Sequence, residues 1–240
     1  MLRVNVVVVA NRGDGDDGFV GERLGELGAN FIRVWREDPD GLADAELDAD
    51  LVLSLGSDWS VYDAPSAPSA PSALSAAPER ALVRRAARRG VPVLGICYGG
   101  QLCASALGAE VRRAEQPEIG WRLLESDDVS FCGTGPWFQY HFDRWSDGGP
   151  VRSFMRNQVS PQAFVFGRTL GLQFHPEVTP ATVSTWLRAA PDDVAAAGGV
   201  IEEIEAETAL LADDARLRCH RLVDAFFDTV ASAPVWDVVV

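Results

Sequence analysis

Four short apolar runs, Val4–Val9, Phe31–Trp35, Leu51–Leu55 and Val91–Ile96, constrain this chain more than any other feature. A run with at most one polar residue keeps no alternating polar face for water, so each predicts a strand buried on both sides, as in a parallel sheet. Helical patterns lie between them: short ones over Gly21–Leu27 and Asp44–Leu47, and ERALVRRAARR over Glu79–Arg89, ended by Gly90. This βαβαβ alternation predicts an α/β fold with a doubly wound, mostly parallel central sheet flanked by helices. From Ala109 to Phe174 short alternating segments and glycine turns predict a small antiparallel sheet, and residues 180–240 read as a helical C-terminal tail.

The pattern is interrupted once. Residues 64–78, APSAPSAPSALSAAP, are too rich in proline for a helix and too poor in bulky side chains to pack. They read as an exposed loop insertion. A domain linker is the other reading, but the strands on either side continue one pattern, so residues 1–240 are expected to form a single domain.

Composition narrows the partners. All 21 basic residues are arginine, against 35 Asp plus Glu, and the net charge of −14 leaves no broad positive surface for nucleic acid. Cysteines at 97, 103, 132 and 219 form neither a CxxC pair nor a disulfide framework, which fits a reducing cytoplasm. No apolar run approaches the roughly 18 residues of a membrane helix. The three histidines, at 141, 175 and 220, have no ligand spacing with one another, so neither a catalytic metal nor a cofactor is expected.

GICYGG at 95–100 follows the apolar VPVL and precedes a helix. A cysteine on such a strand-to-helix turn is held by backbone, faces substrate and lies at the positive end of a helix dipole, a setting that favours thiolate chemistry. Glycines on both sides allow the close backbone approach that the turn demands. Taken alone, the stretch fits a buried structural cysteine equally well. GLQFHPE at 171–177 decides between the readings: it brings His175 and Glu177 two residues apart, so that a carboxylate orients the imidazole from one side while the thiol meets it from the other. Cys97, His175 and Glu177 are thus a candidate catalytic triad.

GICYGGQ paired with GLQFHPE resembles the class I (triad) glutamine amidotransferases, and EIGW at 118–121 and PQAFVFG at 161–167 are similar to the free-standing, GMP-synthase-like members. The likeness runs from the first strand to about Val178. It implies Cys97 as nucleophile, His175 as general base and acid, and Glu177 as the residue that orients it. LSLGSDWSVYD at 53–63 resembles the loop that supplies an oxyanion donor, which implies the backbone amides of Gly56 and Tyr98 as the oxyanion hole; the family's usual Gly-Gly-Pro reads Leu55-Gly56-Ser57 here. Gln101 and the segment Tyr140, His141, Phe142 and Asp143 are implied as substrate-binding residues. The implied activity is hydrolysis of L-glutamine to glutamate and ammonia through a glutamyl thioester, with ammonia passed to a synthetase on a separate chain. A hydrolase of other γ-glutamyl compounds, and a non-catalytic regulatory homologue, remain as alternatives.

Other signals read as structure. Asp14, Asp16 and Asp17 lack calcium-loop spacing and predict a solvated turn. Arg84, Arg85, Arg88 and Arg89 predict a solvated helix face. Trp121, Trp137 and Trp145 are expected in the core and the pocket wall.

Overall fold

The computed structural model describes residues 4–45, 49–62, 76–128, 131, 133 and 135–234. Most of the Ala-Pro-Ser insertion, and Cys132, lie outside the described residues. The insertion's last three residues open a helix, Ala76–Arg89.

The chain alternates β1 (Val4–Ala10), α1 (Gly18–Glu26), β2 (Ala29–Trp35), α2 (Pro39–Asp44), β3 (Leu51–Ser54), α3 (Ala76–Arg89), β4 (Val93–Ile96) and α4 (Tyr98–Ala106). Strands β5 (Val111–Leu123), β6 (Glu125–Ser126), β7 (Pro136–Trp145), β8 (Ser153–Arg156), β9 (Pro161–Phe166) and β10 (Thr169–Leu172) follow. Helices α5 (Pro180–Ala189), α6 (Pro191–Ala196) and α7 (Ile201–Ala225) come last, and α7 runs into a π-helical turn over Phe226–Ala231.

An eight-stranded sheet takes the order β2-β1-β3-β4-β10-β9-β8-β6, parallel from β2 to β10 and antiparallel beyond it. Its parallel part is the flavodoxin-like 2-1-3-4-5 order with β10 in fifth place. Alternate strand residues serve two cores. Val6, Val8, Leu53 and Ile96 pack with Leu24 of α1 and Leu222 of α7. Val7, Val9, Val52 and Val93 pack with Leu82 of α3 and Leu102 of α4. This two-sided burial is why β1, β3 and β4 carry no polar alternation.

Two expectations need correction. The run at Phe31–Trp35 is not buried on both faces: β2 is the sheet edge, its burial is patchy, and Ile32 is 47% exposed. Only one side of β2 has a strand neighbour, and its apolar residues alone could not reveal that. The short helix lies over Pro39–Asp44 instead of Asp44–Leu47, and residues 46–48 are outside the described ones. Asp38 caps it by accepting from Gly41 N–H at 3.0 Å, with Pro39 at the first helical position, which is the placement those two residues favour.

β5 and β7 form the separate two-stranded antiparallel sheet. Its outer face, with Ile119, Trp121 and Phe138, packs under α5, α6 and α7 through Val183, Leu187, Val194 and Ile204. The helical tail therefore covers this ribbon as well as one face of the main sheet. Among the described residues no helix is long and apolar enough to cross a membrane.

Candidate active site

Strands β3, β4 and β10 are neighbours in register, with Ser54 opposite Gly95 and Leu172 opposite Ile96. The residues that follow their carboxyl ends are therefore delivered to one edge of the sheet: Gly56 after β3, Cys97 after β4, and His175 and Glu177 after β10.

Cys97 sits at φ 52° and ψ −107°, and is the one non-glycine with positive φ among the described residues. Holding a side chain there costs about 1–3 kcal/mol. The surroundings enforce it. Cys97 N–H donates to the Leu172 carbonyl at 2.8 Å, and its own carbonyl accepts from Gln101 N–H at 2.9 Å to start α4. A methyl group at Gly99 would strike the Ser54 carbonyl, and one at Gly100 the Leu172 carbonyl, so the helix packs this tightly on β3 and β10 only because both are glycine.

The imidazole of His175 is oriented through Nδ1, which lies 2.7 Å from Glu177 Oε1. A bridge from His175 N–H to the Phe138 carbonyl, at 2.8 Å, fixes the backbone, and the Trp186 ring stands edge-on to the imidazole at 5.0 Å. Nε2 is buried and makes no hydrogen bond among the described residues. Burial disfavours the imidazolium, but the charges of Glu177 and of the Cys97 sulfur outweigh it and raise the His175 pKa well above its usual value. The sulfur itself is 3.7 Å from the Tyr140 carbonyl and 3.8 Å from Gln173 Nε2. A methyl group built on Gly56 would lie 3.0 Å from His175 Cε1 and 3.7 Å from Cys97 Cβ, so Gly56 closes the site from the β3 side.

A cavity of about 630 Å³ opens over these groups. Gly56, Cys97, Gln101, Tyr140, His141, Phe142, Asp143, His175 and Glu177 all line it. Tyr98 is not among the lining residues. Its ring is buried against Arg36. Gln101 Nε2 already donates to the Asp143 carbonyl at 3.0 Å and to Gln173 Oε1 at 3.3 Å. His141 is held on both sides, with Nε2 3.1 Å from Glu118 Oε2 and Nδ1 3.1 Å from the Asp143 carbonyl. Burial opposes the Glu118 charge, but His141, Asn157 and Ser160 hold its carboxyl below the usual value. The Asp143 carboxylate accepts from Ser60 Oγ at 2.6 Å and Tyr62 Oη at 2.8 Å, which ties the loop after β3 to β7.

Sequence reasoning missed part of the wall. Trp59 and Trp186 line the cavity, whereas Trp121, Trp137 and Trp145 are core residues away from it. Asp14 and Asp16 also line it, with Asp58 and Asp193, and Arg113 is the arginine in the lining. The first two arrive there because Asp16 accepts from Thr182 Oγ1 at 2.7 Å and Asp14 from Trp186 Nε1 at 3.2 Å, contacts across 166 and 172 positions that no local pattern encodes. On α3, Arg84 and Arg85 are not simply solvated: they donate to the carbonyls of Ala106 and of Leu42 and Ala43.

Comparison with known proteins bears on the fold and the family. Glutamine hydrolysing GMP synthases of Aeropyrum pernix and Symbiobacterium thermophilum are 38% and 41% identical over 97 and 100 residues, 37% of this chain in each case. The matched stretch spans only 19% of either relative. A glutamine amidotransferase structure from Thermotoga maritima superposes with a TM-score of 0.79 at 24% identity, covering 94% of this chain and 99% of the other. One from Methylobacillus flagellatus gives 0.78 at 22% identity, with 95% of each chain covered. These two likenesses establish the fold. The sequence model of the class-I glutamine amidotransferases matches residues 24–188, well over half of the chain and inclusive of the elbow cysteine and the His-Glu pair. The chain belongs to the class I glutamine amidotransferase family.

Proposed function

We propose that this chain, acting as one domain, hydrolyses the side-chain amide of L-glutamine to glutamate and ammonia. The observation that carries the reading is the strained Cys97 elbow facing an imidazole whose far nitrogen is 2.7 Å from a buried carboxylate, all inside one cavity. The Cys97 sulfur, as thiolate, adds to the amide carbon, and the carbonyl oxygen becomes an oxyanion held by the Gly56 and Tyr98 N–H groups. Protonated His175 gives its proton to the amide nitrogen as the C–N bond breaks. Ammonia leaves and a γ-glutamyl thioester remains. Neutral His175 then takes a proton from water, the hydroxide adds to the thioester, and collapse expels the thiolate and frees glutamate. Glu177 holds the imidazole in the tautomer that both steps need. Segment 140–143 and Gln101 line the part of the cavity suited to the amino-acid end. The relatives it resembles are glutamine-hydrolysing GMP synthases, and by that likeness the ammonia here goes to a synthetase.

A second reading is favoured by one feature of the cavity. Asp14, Asp16, Asp58 and Asp193 line it with aromatic Trp59 and Trp186, a lining suited to a γ-glutamyl amide whose leaving amine is a cation. Glutamate release from glutamine and from a panel of γ-glutamyl amines, with Cys97→Ala as control, separates the two. Release from glutamine that Cys97→Ala abolishes supports the first reading, and release from the conjugates alone supports the second.

A further inference from the structure

One buried cation stands behind both proposed oxyanion donors. Arg36, immediately after β2, is fully buried. Its Nη2 donates to the Leu55 carbonyl at 3.0 Å and to Glu79 Oε1 at 3.2 Å, and its Nε donates to Glu79 Oε2 at 2.6 Å. Nη1 donates to the Gly56 carbonyl at 3.1 Å and to Asn11 Oδ1 at 2.5 Å. The flat guanidinium also lies over the Tyr98 ring, 4.5 Å from its centre. Glu79 of α3 is equally buried and accepts from Ser54 Oγ, at the end of β3, at 2.7 Å. Burial disfavours the Arg36 charge, and the Glu79 carboxylate more than restores it.

The Leu55 carbonyl and the Gly56 N–H belong to one planar trans peptide and point in opposite directions. A donor that holds that carbonyl inward therefore aims the N–H outward, towards the cavity that Gly56 lines. The second bond, to the Gly56 carbonyl, fixes the next peptide in the same way. Glycine puts no steric bar on rotation of this peptide, and Ser57 stands where the family's usual motif has a rigid proline. Within the loop Ser57 Oγ accepts from Trp59 N–H at 3.1 Å, which leaves the Leu55–Gly56 peptide to be held from outside.

We propose that Arg36, held by Glu79, is a positioning residue that locks the Leu55–Gly56 peptide in its oxyanion-binding orientation and braces Tyr98 for the second donor. The inference rests on the glutaminase reading, and its test separates the two. Arg36→Lys keeps the charge but loses the fork that spans both carbonyls. The double variant Arg36→Met with Glu79→Met removes the pair without leaving a lone buried charge, an exchange that often preserves stability. For each, kcat and KM with glutamine are measured alongside labelling of Cys97 by two reagents. A chloroketone analogue of glutamine reacts through a tetrahedral oxyanion, whereas iodoacetamide is attacked at carbon without one.

The expected result is a kcat lower by about 10- to 100-fold with KM little changed. Chloroketone labelling should slow in parallel and iodoacetamide labelling should keep its rate. Wild-type kcat in either folded variant would overturn the proposal. So would equal slowing of both reagents, because the defect would then lie in the nucleophile. If Arg36→Lys does not fold, the double variant decides. If the wild-type protein is labelled by both reagents yet releases no glutamate from glutamine, the glutaminase reading fails while the ratio of labelling rates still judges Arg36.

Discussion

At Cys97 backbone strain and side-chain chemistry meet: the residue whose φ of 52° costs stability is also one whose sulfur raises the His175 pKa. Cys103 and Cys219 are buried in the cores, and burial pushes both thiols up, away from reactivity. His175 has the opposite balance. Its burial is outweighed by Glu177 and the sulfur, so the ring keeps its proton to higher pH than an ordinary histidine. A raised folded pKa means that its contribution to stability is complete below the unfolded value of about 6.5 and is lost as pH rises through the folded value. Under the proposed mechanism the same sign governs turnover, because the leaving nitrogen takes that proton. Glu177→Gln removes the largest favourable cause. It is expected to move the alkaline limb of the kcat/KM profile to lower pH and to reduce kcat by about tenfold or more, measured by glutamate release across pH.

Among the elements, the β4–α4 elbow depends on the absence of side chains at two helical positions. Gly99 and Gly100 let the first turn of α4 rest directly on the carbonyls of β3 and β10. Gly99→Ala must push the helix off Ser54, and overpacking of this kind costs about 1–3 kcal/mol. Because Cys97 caps the same helix, glutamate release should fall well beyond what that loss of stability explains. Denaturant unfolding and kinetics on the same preparation would check both, and an active variant of wild-type stability would count against the elbow as described. Here local sequence was informative, since the clustered glycines and the following Gln101 already mark the turn. The loop after β3 was less legible: its clamp, Arg36 with Glu79, joins β2 to α3 across 43 positions, and nothing local to Arg36 distinguishes it from an exposed arginine.

For the molecule as a whole, the tail built from α7 and its π-helical turn serves as a wall of the main core. Leu222, Val223 and Phe226 are buried with β1, β3 and β10, while Arg216 pairs with Glu22 at the surface. Leu222→Ala should therefore cost about 2–5 kcal/mol by denaturant unfolding. Arg216→Ala should leave the unfolding midpoint nearly unchanged, because exposed ion pairs contribute little. By itself the sequence determined the layered α/β architecture and the helical tail, and it singled out Cys97, His175 and Glu177 as candidates, because each is written locally: in hydrophobic period, in glycines around one cysteine, and in a histidine two residues from a glutamate. Only the tertiary structure decided that β2 is an edge, that Asp14, Asp16 and Trp186 reach the cavity, and that a buried arginine stands behind the loop after β3. Those facts depend on which strands become neighbours and which distant side chains meet, and contacts spanning tens to hundreds of residues leave no periodic mark on the chain.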